Sequence, residues 1–238
     1  MRTLSALLEG TLDGVAVVET FSDRAVRLFP EEAARMVGAP DARRREYATV
    51  RWCARTALRR LGGPEAPLVP ANGGAPSWPE GFVGSMTHCD GYRAAAVASA
   101  RVFVGLGIDA EPHGPLPPRV LSRICSEPER RDLDRLTSTH PDTAWDRLLF
   151  SAKESVYKAW FPLTGQWLDF LHCVISLDPH TRTFTAALAP KSTNLPSHRT
   201  PRVLRGRWQR TEDYLATAVL MPSASAASVT RDFCGVTE

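Results

Sequence analysis

Asp109 and Glu111 stand two residues apart at the end of the apolar run 102–108. A strand continuing through them would send both carboxylates out of the same face. Two such charges repel unless they share a cation. Oxygen-only ligation suits Mg2+, which takes one or two carboxylates together with phosphate oxygens and water. A solvated strand end with its acids turned outward explains the pair equally well. A third carboxylate, Glu154, lies in Phe150-Ser151-Ala152-Lys153-Glu154-Ser155-Val156-Tyr157-Lys158-Ala159-Trp160. Glu154 and Lys158 are four apart and share one helical face, where the plainer reading is a surface ion pair worth a few tenths of a kcal/mol. Ser151 and Glu154 also have capping-box spacing, but helical periodicity already runs from Trp145 and would leave Ser151 mid-helix.

The cations sharpen the reading. The chain carries 26 arginines and three lysines, and two of those lysines, Lys153 and Lys158, fall in this one segment. Where Arg is the default cation, a return to Lys points to a need for a compact ammonium. Asp, Glu, Glu and Lys together are what metal-assisted phosphoryl chemistry uses. A carboxylate takes a proton from an attacking hydroxyl, an ammonium stabilises the departing phosphate, and the metal neutralises a diphosphate.

Two further segments offer groups for an anionic substrate. Gly84-Ser85-Met86-Thr87-His88-Cys89-Asp90-Gly91-Tyr92 combines a glycine that allows close approach with hydroxyl and imidazole donors. His88 is as readily a satisfied histidine. Cys89 beside it is no nucleophile partner, because neighbouring strand residues point to opposite faces. Ser85 sits in no G-x-S-x-G elbow, and Gly105-Leu106-Gly107 lacks the rest of a dinucleotide fingerprint. Arg44, Arg51 and Arg55 fall on one helical face, suited to a bidentate phosphate clamp or to solvent.

These residues need elements to hold them. The pattern predicts a strand at 15–19 and helix over 31–61, broken near Gly38-Ala39-Pro40, with Asp41 as N-cap and Gly62-Gly63-Pro64 as the stop. A Gly/Pro-rich loop follows over 62–81, then strands at 82–88, 94–99 and 102–108. Four prolines within 111–118 mark a boundary between two halves, 1–110 and 111–221, and 222–238 reads as a frayed tail. The second half reads as a helical stretch over 119–137, a helix over 143–160 stopped by Pro162, strands at 173–177 and 184–188, a loop over 189–201, and a hairpin of 203–209 with 214–221.

Composition narrows the class. With 238 residues, 43% apolar and 23% charged, the chain is an ordinary globular one. The formal charge of +3 is too small to argue for nucleic acid. No apolar run reaches membrane-spanning length, and the N-terminal residues read as no signal peptide. Five cysteines form no CxxC pair and no zinc spacing, and read as free thiols in a reducing cytoplasm.

Taken together, Gly107-Ile108-Asp109-Ala110-Glu111 and the 150–160 segment resemble the signature pair of the 4′-phosphopantetheinyl transferases. Trp78-Pro79 and Gly84-Ser85-Met86-Thr87-His88-Cys89 resemble the larger, surfactin-synthetase-activating and enterobactin-type class, in its actinobacterial branch. The resemblance runs from Arg43 to Leu168. It implies an α+β fold of two similar α/β halves in pseudo-twofold arrangement, with coenzyme A in the cleft between them. It implies transfer of phosphopantetheine to a serine of apo acyl or peptidyl carrier proteins, releasing 3′,5′-ADP, by a cytoplasmic monomer with no nucleic-acid or membrane partner. By that resemblance Asp109, Glu111 and Glu154, with the Ala110 carbonyl, hold Mg2+ (or Mn2+). Glu154 is the base, and Lys158 holds the diphosphate. Asp109, Glu154, Lys158, Arg43, Arg51, Ser85, Met86, Thr87, His88 and Leu168 bind coenzyme A. At the 3′-phosphate end the resemblance picks Arg43, whereas periodicity picks Arg44. Related enzymes can carry a lysine before the Trp-Pro motif, where this chain has Pro70-Ala71-Asn72-Gly73-Gly74. The alternative is a non-catalytic coenzyme A- or carrier-binding protein on the same fold.

Overall fold

Strand alternation and its interruptions set out two sheets in a computed structural model that describes residues 3–8, 14–70, 74–189 and 201–224. The first sheet is built from β1 (Val15–Thr20), β2 (Phe82–Cys89) and β3 (Tyr92–Ser99), in the antiparallel order β1-β3-β2. β2 and β3 meet in a tight hairpin at Asp90-Gly91, where Gly91 takes φ 67°. Around them lie α1 (Leu4–Leu8), α2 (Pro30–Ala34) and α3 (Asp41–Arg60). The helix break falls as expected, but Pro40 is the N-cap of α3 and Asp41 its first residue.

β3 is small and apolar on both faces because both are covered. Ala95 and Val97 pack with Cys53, Ala54, Ala57 and Leu58 of α3. Ala94, Ala96 and Ala98 turn the other way, onto Leu106, Ile108 and Ala110. Alanine on that face lets the second sheet come close.

The second sheet contains β4 (Phe103–Pro112), β5 (Cys173–Asp178), β6 (Thr183–Leu188), β7 (Val203–Arg210) and β8 (Tyr214–Pro222), in the order β4-β8-β7-β6-β5. The chain thus changes sheets between Ser99 and Phe103, and a division after residue 110 cuts through β4, which pairs with β8 at Asp109↔Thr217. The helical stretch expected over 119–137 is two helices, α4 (Pro118–Ile124) and α5 (Glu127–Thr139). Ser126 separates them, its N–H and Oγ donating to Glu129 in a capping box.

α6 (Trp145–Thr164) crosses this sheet, with Leu148, Ala152, Val156 and Ala159 buried. It runs past Pro162 and ends at Gly165, whose φ of 65° closes the last turn. A proline in that turn forfeits one bond without stopping the helix. The glycines of Gly105-Leu106-Gly107 serve this packing. A Cβ on Gly105 would meet the Ala159 carbonyl at 3.0 Å, and one on Gly107 would collide with that of Ser155. Backbone against backbone, α6 lies close enough for its side chains to reach those of β4.

Cys53, Cys89, Cys125 and Cys173 are free thiols, and Cys234 lies outside the described residues, as do most of the expected 189–201 loop and 222–238 tail. Among the described residues no helix is long and apolar enough to cross a membrane.

Candidate active site

The edge strand β4 of the second sheet lies against the face of the first that bears Ser85, Thr87, Ala94 and Ala96. β2 ends the first and β4 the second. The N–H groups of Ile108 and Ala110 face this seam, where a buried donor without a partner would cost about 1–3 kcal/mol. Ser85 Oγ accepts from Ile108 N at 3.1 Å and Thr87 Oγ1 from Ala110 N at 3.2 Å. Residues two apart on a strand share a face, so one pair of hydroxyls supplies both rungs. In an extended strand a residue's N–H and C=O leave by the same edge, so the Ala110 carbonyl also faces the seam.

Asp109 lies here, 3% exposed. Its Oδ1 accepts from Lys158 Nζ at 2.7 Å and from Thr87 Oγ1 at 3.1 Å, while its Oδ2 is buried without a hydrogen-bond partner. Burial alone would lower the Lys158 pKa. The charge of Asp109 and its hydrogen bond, helped by Glu154 and Glu111, outweigh it and the net shift is upward. Lys158 is therefore a firm ammonium.

Glu111 and Glu154 also shift upward, which for a carboxyl favours the neutral form. Burial, then the charge of Asp109, raises the Glu111 pKa against the pull of Arg147, whose guanidinium donates to Glu111 at 2.9 Å. Burial raises that of Glu154, with Lys158 opposing and Asp109 assisting. A buried carboxylate with a raised pKa is a better base than a solvated one.

Among the described residues no three His, Cys, Asp or Glu side chains enclose a metal ion. The expected ligands are instead drawn to cations of the chain, Asp109 to Lys158 and Glu111 to Arg147. The donor set still fits Mg2+. That ion needs only one or two carboxylates when phosphate oxygens complete its shell, and Asp109 Oδ2 is a buried oxygen with nothing to satisfy it.

A cavity of about 380 Å³ opens from Lys158 and Glu154 between the halves. Arg43, Tyr47, Arg51, Ser85, Met86 and His88 line its first-half side, and Tyr157 and Phe161 its second. Arg51 lies over the Tyr47 ring, 3.2 Å from its centroid, and donates to the Leu68 carbonyl. Burial lowers its pKa to about 10, so it remains a cation at neutral pH. Arg43 donates to Nε2 of His88 at 3.0 Å and to Glu46.

One family description fits each half of the chain. The 4′-phosphopantetheinyl transferase N-terminal domain matches residues 31–98, and the 4′-phosphopantetheinyl transferase superfamily matches residues 105–219. The chain belongs to this superfamily. Named relatives extend the match over nearly its whole length. A Streptomyces mobaraensis 4′-phosphopantetheinyl transferase, Svp, is 49% identical over 90% of this chain and 86% of its own. PptT of Mycobacterium tuberculosis is 40% identical over 91% and 96% respectively. Npt of Nocardia iowensis is 40% identical over 91% and 98%.

In this transferase the structure brings Asp109, Glu154, Lys158, Arg43, Arg51, Ser85, Met86 and His88 to one seam and its cavity. Of the two candidates Arg43 lines the cavity, whereas Arg44 does not and donates to the Ala39 carbonyl. Arg55 leaves the clamp altogether for buried Glu32, at 2.9 Å. Thr87 is turned into the seam rather than the cavity. Leu168 lines a separate pocket of about 250 Å³, which shares Glu154 and Tyr157 with the cavity and adds Lys153, Trp167 and Phe170. Lys153 turns into the core. It is 2% exposed and fastens Glu129 to the Phe170 and Cys173 carbonyls of the transferase. The loop positions 71–73 before the Trp-Pro motif lie outside the described residues.

Sequence reasoning passed over Tyr47, Glu46 and Arg147. Arg43, Tyr47 and Arg51 are spaced by four, a signal that was available. Each such step drifts about 40° around a helix, which turns Arg55 some 120° away from Arg43. Nothing local marks Arg147, which reaches Glu111 across 36 residues of chain.

Proposed function

We propose that this chain transfers 4′-phosphopantetheine from coenzyme A to a serine of apo acyl or peptidyl carrier proteins, with Mg2+ or Mn2+, releasing 3′,5′-ADP. The observation that carries the reading is the position of Glu154 and Lys158 on one face of α6. Both border the cavity, and Lys158 is held on Asp109. Arg43, Arg51 and His88 suit the phosphorylated nucleotide end. The pocket on the other side of Glu154, with Tyr157, Trp167, Leu168 and Phe170, suits the uncharged pantetheine arm.

Glu154 accepts the proton of the carrier serine. The serine oxygen then forms its bond to the phosphorus nearer pantetheine as the bond to the bridging oxygen breaks. Electrons of that bond leave on the phosphate of 3′,5′-ADP, where Lys158 meets the growing charge. Asp109, with Glu111 and Glu154, would hold a divalent cation, which would supply charge neutralisation of the diphosphate. The same reading takes the chain to work as a monomer in the cytoplasm, where coenzyme A and carrier proteins meet.

The direct test is intact-mass spectrometry of several apo carriers incubated with the chain, coenzyme A and Mg2+. The reading expects one added phosphopantetheine per carrier and 3′,5′-ADP in equal amount. Coenzyme A binding with every carrier unmodified would contradict transfer and favour a binding protein.

A further inference from the structure

Asp109 has one committed carboxylate oxygen and one free. Lys158 and Thr87 share Oδ1, and Oδ2 is buried without a partner. Thr87 comes from the opposite sheet and is 3% exposed. A threonine hydroxyl has a single proton to give. Its oxygen already accepts from Ala110 N, the residue next to Asp109, which leaves the proton for Oδ1. Backbone and side chain of β4 are thereby fixed by one atom. Ser85 makes the neighbouring rung to Ile108 N without touching a carboxylate.

We infer that Thr87 is a positioning residue for the transfer reaction. Its hydroxyl sets the rotation of the Asp109 carboxylate, so that Oδ1 faces Lys158 and Oδ2 is presented to the divalent cation. The cation's part in this rests on the proposed transfer. The role differs from the nucleotide contact that resemblance implies for Thr87. A nucleotide contact would act through affinity for coenzyme A. Positioning acts through affinity for the cation.

Ser85 provides the control, because removing its hydroxyl breaks the same kind of rung and leaves Asp109 untouched. The experiment measures Mn2+ binding by electron paramagnetic resonance, with coenzyme A present, alongside transfer kinetics and melting temperature. Thr87→Val keeps the shape and removes the donor. It is expected to weaken Mn2+ binding roughly 10–100-fold, the range for loss of a group that orients a metal ligand. The KM for coenzyme A at saturating Mn2+ should stay within about twofold. Thr87→Ser should restore Mn2+ binding, and Thr87→Cys, with a weaker donor of similar size, should fall between and serves if the valine variant does not fold. Ser85→Ala should lower the melting temperature and, with coenzyme A saturating for each variant, leave Mn2+ affinity unchanged.

Wild-type Mn2+ affinity in Thr87→Val, or an equal loss in Ser85→Ala, would overturn the inference. So would a raised KM for coenzyme A with unchanged Mn2+ affinity, or no Mn2+ binding by the wild-type chain. Mn2+ binding that follows this pattern in a chain that transfers nothing would support the positioning role and count against the proposed function alone.

Discussion

Arg43 donates a hydrogen bond to Nε2 of His88, at 3.0 Å. Because a guanidinium cannot accept, Nε2 must, and the ring proton sits on Nδ1, facing Glu46 at 2.9 Å. His88 is thus a neutral, oriented imidazole at the mouth of the cavity.

This has a consequence for stability against pH. Burial lowers the His88 pKa, with Arg43 and Lys158 adding to it and Glu46 opposing. The unfolded chain binds more protons at this site, so its contribution is present above the unfolded value of 6.5 and is lost as pH falls through the lower folded value. Glu46 has a lowered pKa too, and its own loss comes below 4.5. Melting temperature should fall as pH drops below 6.5, and His88→Gln should flatten that decline. Equal slopes in the two proteins would contradict the assignment. At fixed neutral pH, His88→Ala should weaken coenzyme A binding more than it slows saturated turnover, as calorimetry and steady-state kinetics would show.

Gly107→Ala should be among the most damaging small substitutions. The added methyl has no room against the Ser155 carbonyl and must push α6 from β4. Overpacking of this kind costs typically 1–3 kcal/mol. Because α6 carries both Glu154 and Lys158, transfer should fall along with the denaturation midpoint. Wild-type values for both would show that α6 does not depend on this close approach.

Lys153→Met should cost stability without touching the phosphates. It leaves Glu129 buried beside its other donors but without its cation, a change worth about 3–5 kcal/mol. The double variant Lys153→Met with Glu129→Leu should recover part of this in urea denaturation. A double variant no more stable than the single one would mean that orphaning the Ser126 and Ile175 N–H donors costs as much as the unpaired carboxylate.

Lys158→Ala should lower saturated turnover by about 10²–10³-fold, the scale for losing one preorganised group at a developing charge. Rapid-quench measurement of 3′,5′-ADP release checks it. A turnover within a few-fold of wild type would remove Lys158 from the leaving-group role.

The contrast between the two lysines shows what a sequence discloses. Both drew notice as rare ammonium groups, yet helical geometry separates residues five apart by about 140°, so they face different surroundings. Lys158 meets Asp109 and Lys153 enters the core. Strands and helices were legible because alternation and periodicity are local, and the strand through Asp109 and Glu111 places them as expected. Partnership between strands was not. β4 follows β3 along the chain but pairs with β8, a choice made by long-range packing. Glycines 105 and 107 read only as an incomplete dinucleotide fingerprint, and their close approach to α6 is visible only in the fold. Thr87 and Ser85 could be read as donors, but only the packing of β4 against their face of the first sheet gives their hydroxyls backbone partners.

The central claim is that Glu154 removes the serine proton, and Glu154→Gln tests it most directly. Single-turnover transfer to an apo carrier, followed by intact mass with saturating coenzyme A and Mg2+, should slow by about 10²–10⁴-fold, the usual worth of a positioned base. Melting temperature and coenzyme A affinity should stay near wild type. A folded Glu154→Gln protein that transfers within a few-fold of the wild-type rate would contradict the account.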